Sequence, residues 1–155
     1  MILTTTVISS VFGARQSAQY AHALGELRQI EPALYFYKED HNHQFPADVD
    51  RSLPPGLESY LNNPNDAGAW PDAPFKNSVY DWENWEPSDL THPPYEQVQQ
   101  ISVRFCDING NNCTFPDFDW TTGFDANSSM YYCIEGPCRP HASELISHPG
   151  HCVNC

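Results

Sequence analysis

Residues 13–46 read GARQSAQYAHALGELRQIEPALYFYKEDHNHQFP, and this stretch decides the fold of the chain. Apolar side chains recur in it at steps of three and four residues, which predicts one amphipathic helix with an apolar stripe. The residues of that stripe are Tyr20, Leu24, Leu27, Ile30 or Glu31, Leu34 and Tyr37. Asp40, Asn42 and His43 are poor residues for a helix interior. Pro46 disfavours the helical conformation of the preceding residue, so we expect the helix to stop before it.

Pro32 lies inside the periodic stretch and removes one backbone hydrogen bond of the helix. The apolar stripe keeps its phase across this proline. We therefore expect a kink or local unwinding near Arg28 to Ile30 rather than two separate helices.

Residues 1–12, MILTTTVISSVF, form an uncharged run of apolar and small hydroxyl residues. As a helix this run spans about 18 Å, which is short of the roughly 30 Å hydrocarbon core of a bilayer. It also lacks the basic start and cleavage site of a signal peptide. We expect it to be the lower half of a longer apolar helix, the alternative being a frayed or partly buried helix start. The apolar positions of this run are Ile2, Leu3, Val7, Ile8, Val11 and Phe12.

The composition favours one globular domain with an acidic surface. With 155 residues, of which 40% are hydrophobic, the chain can bury a core. Its net charge is −13, and nearly all of the excess acid follows the helix. Such a surface repels a phosphate backbone, so we expect no nucleic-acid partner.

Six cysteines lie in the last third of the chain, which predicts disulfides formed in an oxidising compartment. About 15 connectivities are compatible with six cysteines, and we favour the three sequence-nearest pairs. The terminal CVNC is also a redox or metal spacing, although a redox CxxC is expected at the start of a helix. The cysteines are Cys106, Cys113, Cys133, Cys138, Cys152 and Cys155.

The rest of the chain predicts loops and a small sheet. Residues 47–74 are rich in proline and form a loop region with at most one short helix near Gly56 to Leu61. Strands are predicted at residues 77–85, 97–106 and 129–134. We expect the tail from Arg139 to wrap the sheet.

The sequence makes two further predictions, one for the second strand and one for the turn after it. In the second strand, Val98, Ile101, Val103 and Phe105 are expected on one face. The Asn-Gly pair that follows favours a tight hairpin turn, after which a strand is expected to resume at residues 114–115.

Several polar and aromatic residues are candidates for binding sites. Asp107, Asn109 and Asn111 have the alternating oxygen spacing of a calcium loop, but the sixth and twelfth positions do not match, so a hairpin turn is favoured. Trp82 and Trp85 suggest either a sugar-stacking platform or, as we favour, two core anchors. A zinc site is a weaker alternative, without a recognised ligand spacing. Its candidate ligands are His41, His43, His141, His148, His151, Cys152 and Cys155.

The end of the opening helix, residues 33–46, reads ALYFYKEDHNHQFP. It resembles the closing phrase of the long N-terminal helix in type IV pilins and type II secretion pseudopilins, which has the form ALxxYxxDNxxYP. One extra residue precedes the final aromatic–proline pair. The resemblance covers about residues 2–46.

This resemblance implies an α+β, pilin-like subunit: a long N-terminal helix with an antiparallel sheet packed on its C-terminal half. It implies residues 1–46 as the helix region, with 1–20 for assembly and membrane anchoring and 21–46 for the domain. Residues 47–155 would form the acidic, disulfide-stapled globular part. The family begins with a basic leader, a processing site and further apolar residues. The chain would therefore correspond to the family from within that helix.

The function expected from these observations is that of a non-enzymatic structural subunit of an extracellular filament or secretion pseudopilus, without a cofactor. Its partners would be copies of itself or related subunits, and the inner membrane before assembly. The stripe from Tyr20 to Leu34 and the apolar start would pack between subunits. The alternative is an exported glycan- or calcium-binding module that uses Trp82, Trp85 and the Asp107 loop. A zinc or thiol enzyme built on the terminal His and Cys residues is a third class.

Overall fold

A computed structural model describes residues 3–62, 69–85, 97–140 and 148–155, with side chains from residue 11 onward. One long helix, α1, is followed by four strands and two short 3-10 helices. In chain order these are α1 (Leu3–Asp40), a 3-10 helix (Leu57–Ser59), β1 (Val79–Trp85), β2 (Val98–Arg104), a 3-10 helix (Asp119–Thr121), β3 (Ser129–Glu135) and β4 (Gly150–Cys152). The prediction of an α+β fold with a long N-terminal helix is confirmed.

Helix α1 runs unbroken through Pro32 and ends at Asp40. The expectation of one helix rather than two is confirmed, whereas the local unwinding that was one of the two expected effects of Pro32 is absent, because residues 28–30 remain helical. The helix ends where the sequence predicted, ahead of Pro46. Asn42 and His43 adopt left-handed conformations with φ of 54° and 61°, and the His43 N–H donates to the Lys38 carbonyl at 2.9 Å. The last carbonyls of the helix are thereby partly satisfied within the turn.

The four strands form one sheet in the order β1-β2-β3-β4. The pairs β1–β2 and β2–β3 are antiparallel, whereas β4 pairs with β3 in parallel. The expectation of a purely antiparallel sheet was therefore wrong. The tail after Arg139 adds a short edge strand instead of only wrapping the sheet. Residues 136–149 separate β3 from β4, which is long enough for the crossover that a parallel pair requires.

The second strand presents its side chains differently from the expectation. Ile101, Val103 and Phe105 lie in the main core, but Val98 lies in a separate cluster with Trp85. Val98 is three residues from Ile101, so strand alternation places it on the opposite face. After the turn, no strand resumes at residues 114–115. Instead, the Thr114 N–H donates to the Phe105 carbonyl at 2.8 Å.

The core lies between α1 and one face of the sheet. Helix residues Ala23, Leu27, Ile30 and Leu34 are at most 2% exposed. Leu24 is only half-buried, so the predicted stripe is rotated slightly towards Ala23. From the sheet, the core contains Tyr80, Trp82, Ile101, Val103 and Met130.

Candidate functional site

The C-terminal half of α1 is fixed to the sheet by polar pairs as well as by the core. The Tyr80 hydroxyl donates to the Glu26 carboxylate. The Tyr132 hydroxyl donates to Glu31 Oε2 at 2.8 Å. Burial, and then the hydrogen bond to its carboxylate partner, raises the pKa of each tyrosine above its usual value, so both remain protonated donors. This half of the helix is therefore part of the globular domain.

From Val11 to Ala18, the N-terminal half of α1 is more exposed to solvent than the C-terminal half. Val11 and Phe12 are each 62% exposed, and residues 13–15 are exposed as well. Gln19 Nε2 donates a hydrogen bond to the Pro74 carbonyl at 2.9 Å, which ties the helix to the domain at this point. Residues 11–18, which we call the exposed half, are all exposed except Gln16; they include the apolar Val11 and Phe12, small residues and the polar Arg15 and Gln16.

An aromatic collar surrounds the point where the helix enters the domain. It consists of Tyr20, Phe118, Trp120 and His151. Trp120 stacks on Phe118 and on His151, with ring centroids 5.0 Å and 4.4 Å apart. Tyr20 Oη lies 3.2 Å from His151 Nε2, and burial lowers the pKa of His151. Apart from Tyr20, sequence reasoning missed the collar, because its other residues come from a short 3-10 helix with its preceding residue and from the edge strand β4, which show no periodicity.

The three disulfides of the structure join the sequence-nearest cysteines. Cys106–Cys113 closes the turn after β2, Cys133–Cys138 closes the chain after β3, and Cys152–Cys155 closes the C-terminus. The terminal loop is also held by Asn154, whose side chain exchanges hydrogen bonds of 2.7 Å and 2.8 Å with the Cys133 backbone. This amide pair attaches the C-terminus to β3.

The candidate calcium residues form a turn closed by protein hydrogen bonds. Asp107 Oδ1 accepts from the N–H groups of Asn109 and Asn111, at 3.0 Å and 2.9 Å, and its Oδ2 accepts from Asn112 Nδ2 at 2.7 Å. The Asn111 backbone and Asn112 side-chain bonds hold the pKa of Asp107 below its usual value. Both oxygens therefore act as acceptors inside the turn, as the favoured turn interpretation expects.

The candidate zinc ligands that the structure describes do not gather at one site; His141 lies outside the described residues. Within those residues, no three His, Cys, Asp or Glu side chains come together as a metal site. Cys152 and Cys155 are bonded to each other. The described histidines contact separate partners: His41 stacks on Tyr37, His43 lies by Glu39, His148 pairs with Asp125 at 2.7 Å, and His151 stacks on Trp120.

The two strand tryptophans do not form a common sugar platform. Trp82 is fully buried and donates from Nε1 to the Pro46 carbonyl at 2.9 Å. Trp85 is 5% exposed and packs with Val98 on the opposite face of the sheet. Both are therefore anchors of buried clusters, as the favoured interpretation predicted.

The face of the sheet turned away from α1 carries a buried charge cluster that sequence reasoning missed. Arg104 Nε donates to Asp81 Oδ2 at 2.9 Å, and Arg104 Nη2 donates to Glu83. Gln100 and Ser102 also donate to the Glu83 carboxylate. All five residues are at most 3% exposed. Burial raises the pKa of Glu83 to about 7, although Arg104 opposes the shift.

The chain matches no protein-family model, and comparison with curated proteins and with solved structures finds no significant match. Within the described residues, no helix is both long enough and apolar enough to cross a membrane.

Proposed function

We propose that this protein is a structural subunit of an extracellular filament of the type IV pilus or type II secretion pseudopilus kind. Its exposed helix half would mediate assembly. The observation that carries the proposal is the length of α1 ahead of Tyr20, because the helix extends back to Leu3 over about 25 Å. Val11 and Phe12, on this extension, are 62% exposed.

Val11 and Phe12 leave apolar surface in contact with water. Burying a Val or Phe side chain fully contributes about 1.5–3 kcal/mol, so a helix that leaves such side chains in water gains from contact with lipid or sister helices. Further apolar residues precede Val11 in the sequence, namely Ile2, Leu3, Val7 and Ile8. A filament core of parallel helices would bury all of them.

Part of the apolar stripe of α1 is already covered by the chain's own domain and is not free for such an assembly. Leu27, Ile30 and Leu34 are almost completely buried in the chain's own core. They cannot also pack between subunits, so the expected assembly role of the stripe from Tyr20 to Leu34 was too broad. We therefore assign assembly to the helix residues up to about Ala18. The polar pairs of the C-terminal half instead hold the domain on the helix.

The test is filament formation by variants of the full chain. Val11→Asp and Phe12→Asp each place a charge in the proposed helix interface and should reduce filaments at least tenfold. Negative-stain microscopy of surface filaments, with mass spectrometry of the sheared material, measures the effect. Phe36→Asp is the matched control, because Phe36 is 63% exposed on the same helix but beside the domain. It should leave filaments intact.

Two results would contradict the proposal. One is absence of the wild-type chain from every sheared filament fraction. The other is normal assembly by the Val11→Asp and Phe12→Asp variants.

A further inference from the structure

A cavity of about 420 Å³ lies beside the start of β1, away from the exposed half of the helix. Its wall combines the loop before β1, the tip of the Cys106–Cys113 turn and Arg51. The volume falls at the lower end of the range typical of small-molecule sites. No part of the proposed assembly surface contributes to it.

Two buried hydrogen-bond donors in this wall have no acceptor within the part of the chain that the structure describes. They are Arg51 Nε and Trp70 Nε1, and both are shielded from solvent. The Arg51 side chain is only 10% exposed. The carboxylate of Asp50 is 4.0 Å from Arg51 Nε, which is too long for a hydrogen bond, and Asp50 itself is 86% exposed. Guanidinium and indole N–H groups can only donate, so an acceptor must come from elsewhere.

The surrounding structure holds the Arg51 guanidinium in place. Its Nη2 donates to the Ala126 carbonyl at 3.4 Å, while the Arg51 backbone N–H donates to Asp81 Oδ1 at 2.9 Å. Gly110 makes room for it, because a Cβ there would lie 2.3 Å from Arg51 Nη1, and the φ of +74° at this position also favours glycine. The Cys106–Cys113 turn thus packs against the cation and leaves its Nε without an acceptor.

The remaining wall is largely apolar. Phe75, Tyr80 and Ile108 line the cavity, and Ile108 is an apolar side chain that is 55% exposed. The Trp70 ring lies 6.1 Å from that of Tyr80. Asp72 also lines the cavity, which disfavours a ligand that carries several negative charges. The wall therefore suits one anionic group on an apolar or ring-shaped body.

We propose that this cavity binds a small monocarboxylate whose oxygens accept hydrogen bonds from Arg51 Nε–H and Trp70 Nε1–H, while its ring or apolar body packs on Phe75, Tyr80 and Ile108. Such a carboxylate supplies the acceptors that both donors lack and places a charge beside a buried guanidinium. An aromatic acid and a sugar acid share this chemistry.

The test follows the indole N–H resonance of Trp70 in the ¹⁵N-labelled full chain, assigned by its loss in Trp70→Phe. Phenylacetate and glucuronate are the two acids, and phenylacetamide and glucose are their neutral partners. We expect saturable displacement of the Trp70 resonance by at least one acid at roughly micromolar to millimolar concentration, and at least tenfold weaker binding of its neutral partner. The acid that binds distinguishes an aromatic from a sugar ligand.

Variants provide the second readout, measured by ligand-observed NMR. Trp70→Phe keeps the ring but removes the donor, and Arg51→Lys keeps the charge but removes Nε–H. Each should weaken acid binding about tenfold. Trp120→Phe and Arg28→Lys, outside the cavity, should bind as the wild type does. The proposal is overturned if neither acid moves the Trp70 resonance, if the neutral partners bind equally well, or if the cavity variants retain wild-type affinity.

Discussion

Glu83 and Arg104 are opposite charges buried on the sheet face that α1 does not cover. Each is at most 2% exposed, and Asp81 completes the cluster as a second acid beside the single cation. Desolvation of a carboxylate is costly, and here one guanidinium is shared between two carboxylates. Glu83 therefore titrates near neutrality, with a pKa raised to about 7.

The raised pKa predicts a pH dependence of stability. A carboxyl group whose pKa is higher in the folded than in the unfolded chain binds more protons when folded, so its stabilising contribution is complete below the unfolded pKa. That contribution is lost as the pH rises from about 4.5 to about 7. We expect Glu83 to lower the free energy of unfolding across this window by on the order of 1–3 kcal/mol. Urea unfolding monitored by circular dichroism at pH 5 and pH 8 measures it.

Glu83→Gln is the control for this prediction, because it cannot titrate. The drop between pH 5 and pH 8 should be smaller in the variant than in the wild type by the contribution of Glu83. Lowered pKa values act with the opposite sign; for His151, stability is lost as the pH falls. An identical pH dependence in both proteins would show that Glu83 does not titrate in this range.

At the scale of elements, helix α1 has two halves with different surroundings. Along its C-terminal half, Ala23, Leu27, Ile30 and Leu34 follow steps of four, three and four residues and face the sheet. Ala23 carries the smallest of these side chains, and its complete burial accompanies close approach of the helix to the domain. Leu24, one position further, lies at the margin of this face.

The rotated stripe predicts unequal effects of two equivalent truncations. Leu27→Ala removes a fully buried side chain and should cost about 2–5 kcal/mol of unfolding free energy. Leu24→Ala removes the same atoms from a half-buried position and should cost about 1 kcal/mol or less. Chemical denaturation of both variants measures the difference. A larger loss for Leu24→Ala would place the originally expected stripe in the core.

At the scale of the whole molecule, the domain and the exposed half of α1 have separable roles. Among the described residues, those that form the core, the polar pairs and the three disulfides all lie at Gln19 or later in the chain. Val11 and Phe12 are not members of this core, although Phe12 lines a cleft with Phe75 of the domain. The net charge of −13 adds repulsion between copies, which an assembly would have to offset with buried apolar surface.

This separation predicts the effect of a deletion. Removing residues 1–17 should change the unfolding free energy of the domain by less than about 1 kcal/mol, because exposed helical ends contribute little to global stability. The same deletion should abolish assembly. Thermal unfolding measures the first effect, and sedimentation of the full-length and shortened chains measures the second. A large fall in melting temperature would show that the exposed half supports the domain.

Local patterns in the sequence were sufficient for the main elements. The steps of three and four residues in α1, the alternation in most of β2 and the aromatic and β-branched residues of β1 and β3 are local properties, so these elements were predicted to within a few residues. The cysteine spacing likewise suggested the sequence-nearest pairs seen in the structure. Val98 was misplaced because its phase differs from that of Ile101. The short strand β4 carried too few residues to show a pattern.

The sequence by itself determined a long amphipathic helix with an apolar start, followed by an acidic, disulfide-stapled sheet domain. Only the tertiary structure decided which helix residues face the core and where the exposed half begins, because burial depends on what packs opposite. It also decided the buried charge cluster of Asp81, Glu83 and Arg104 and the cavity beside the start of β1. Arg51, Trp70 and Ile108 lie far apart along the chain, and folding alone brings them to one wall. Local periodicity carries no information about such long-range neighbours.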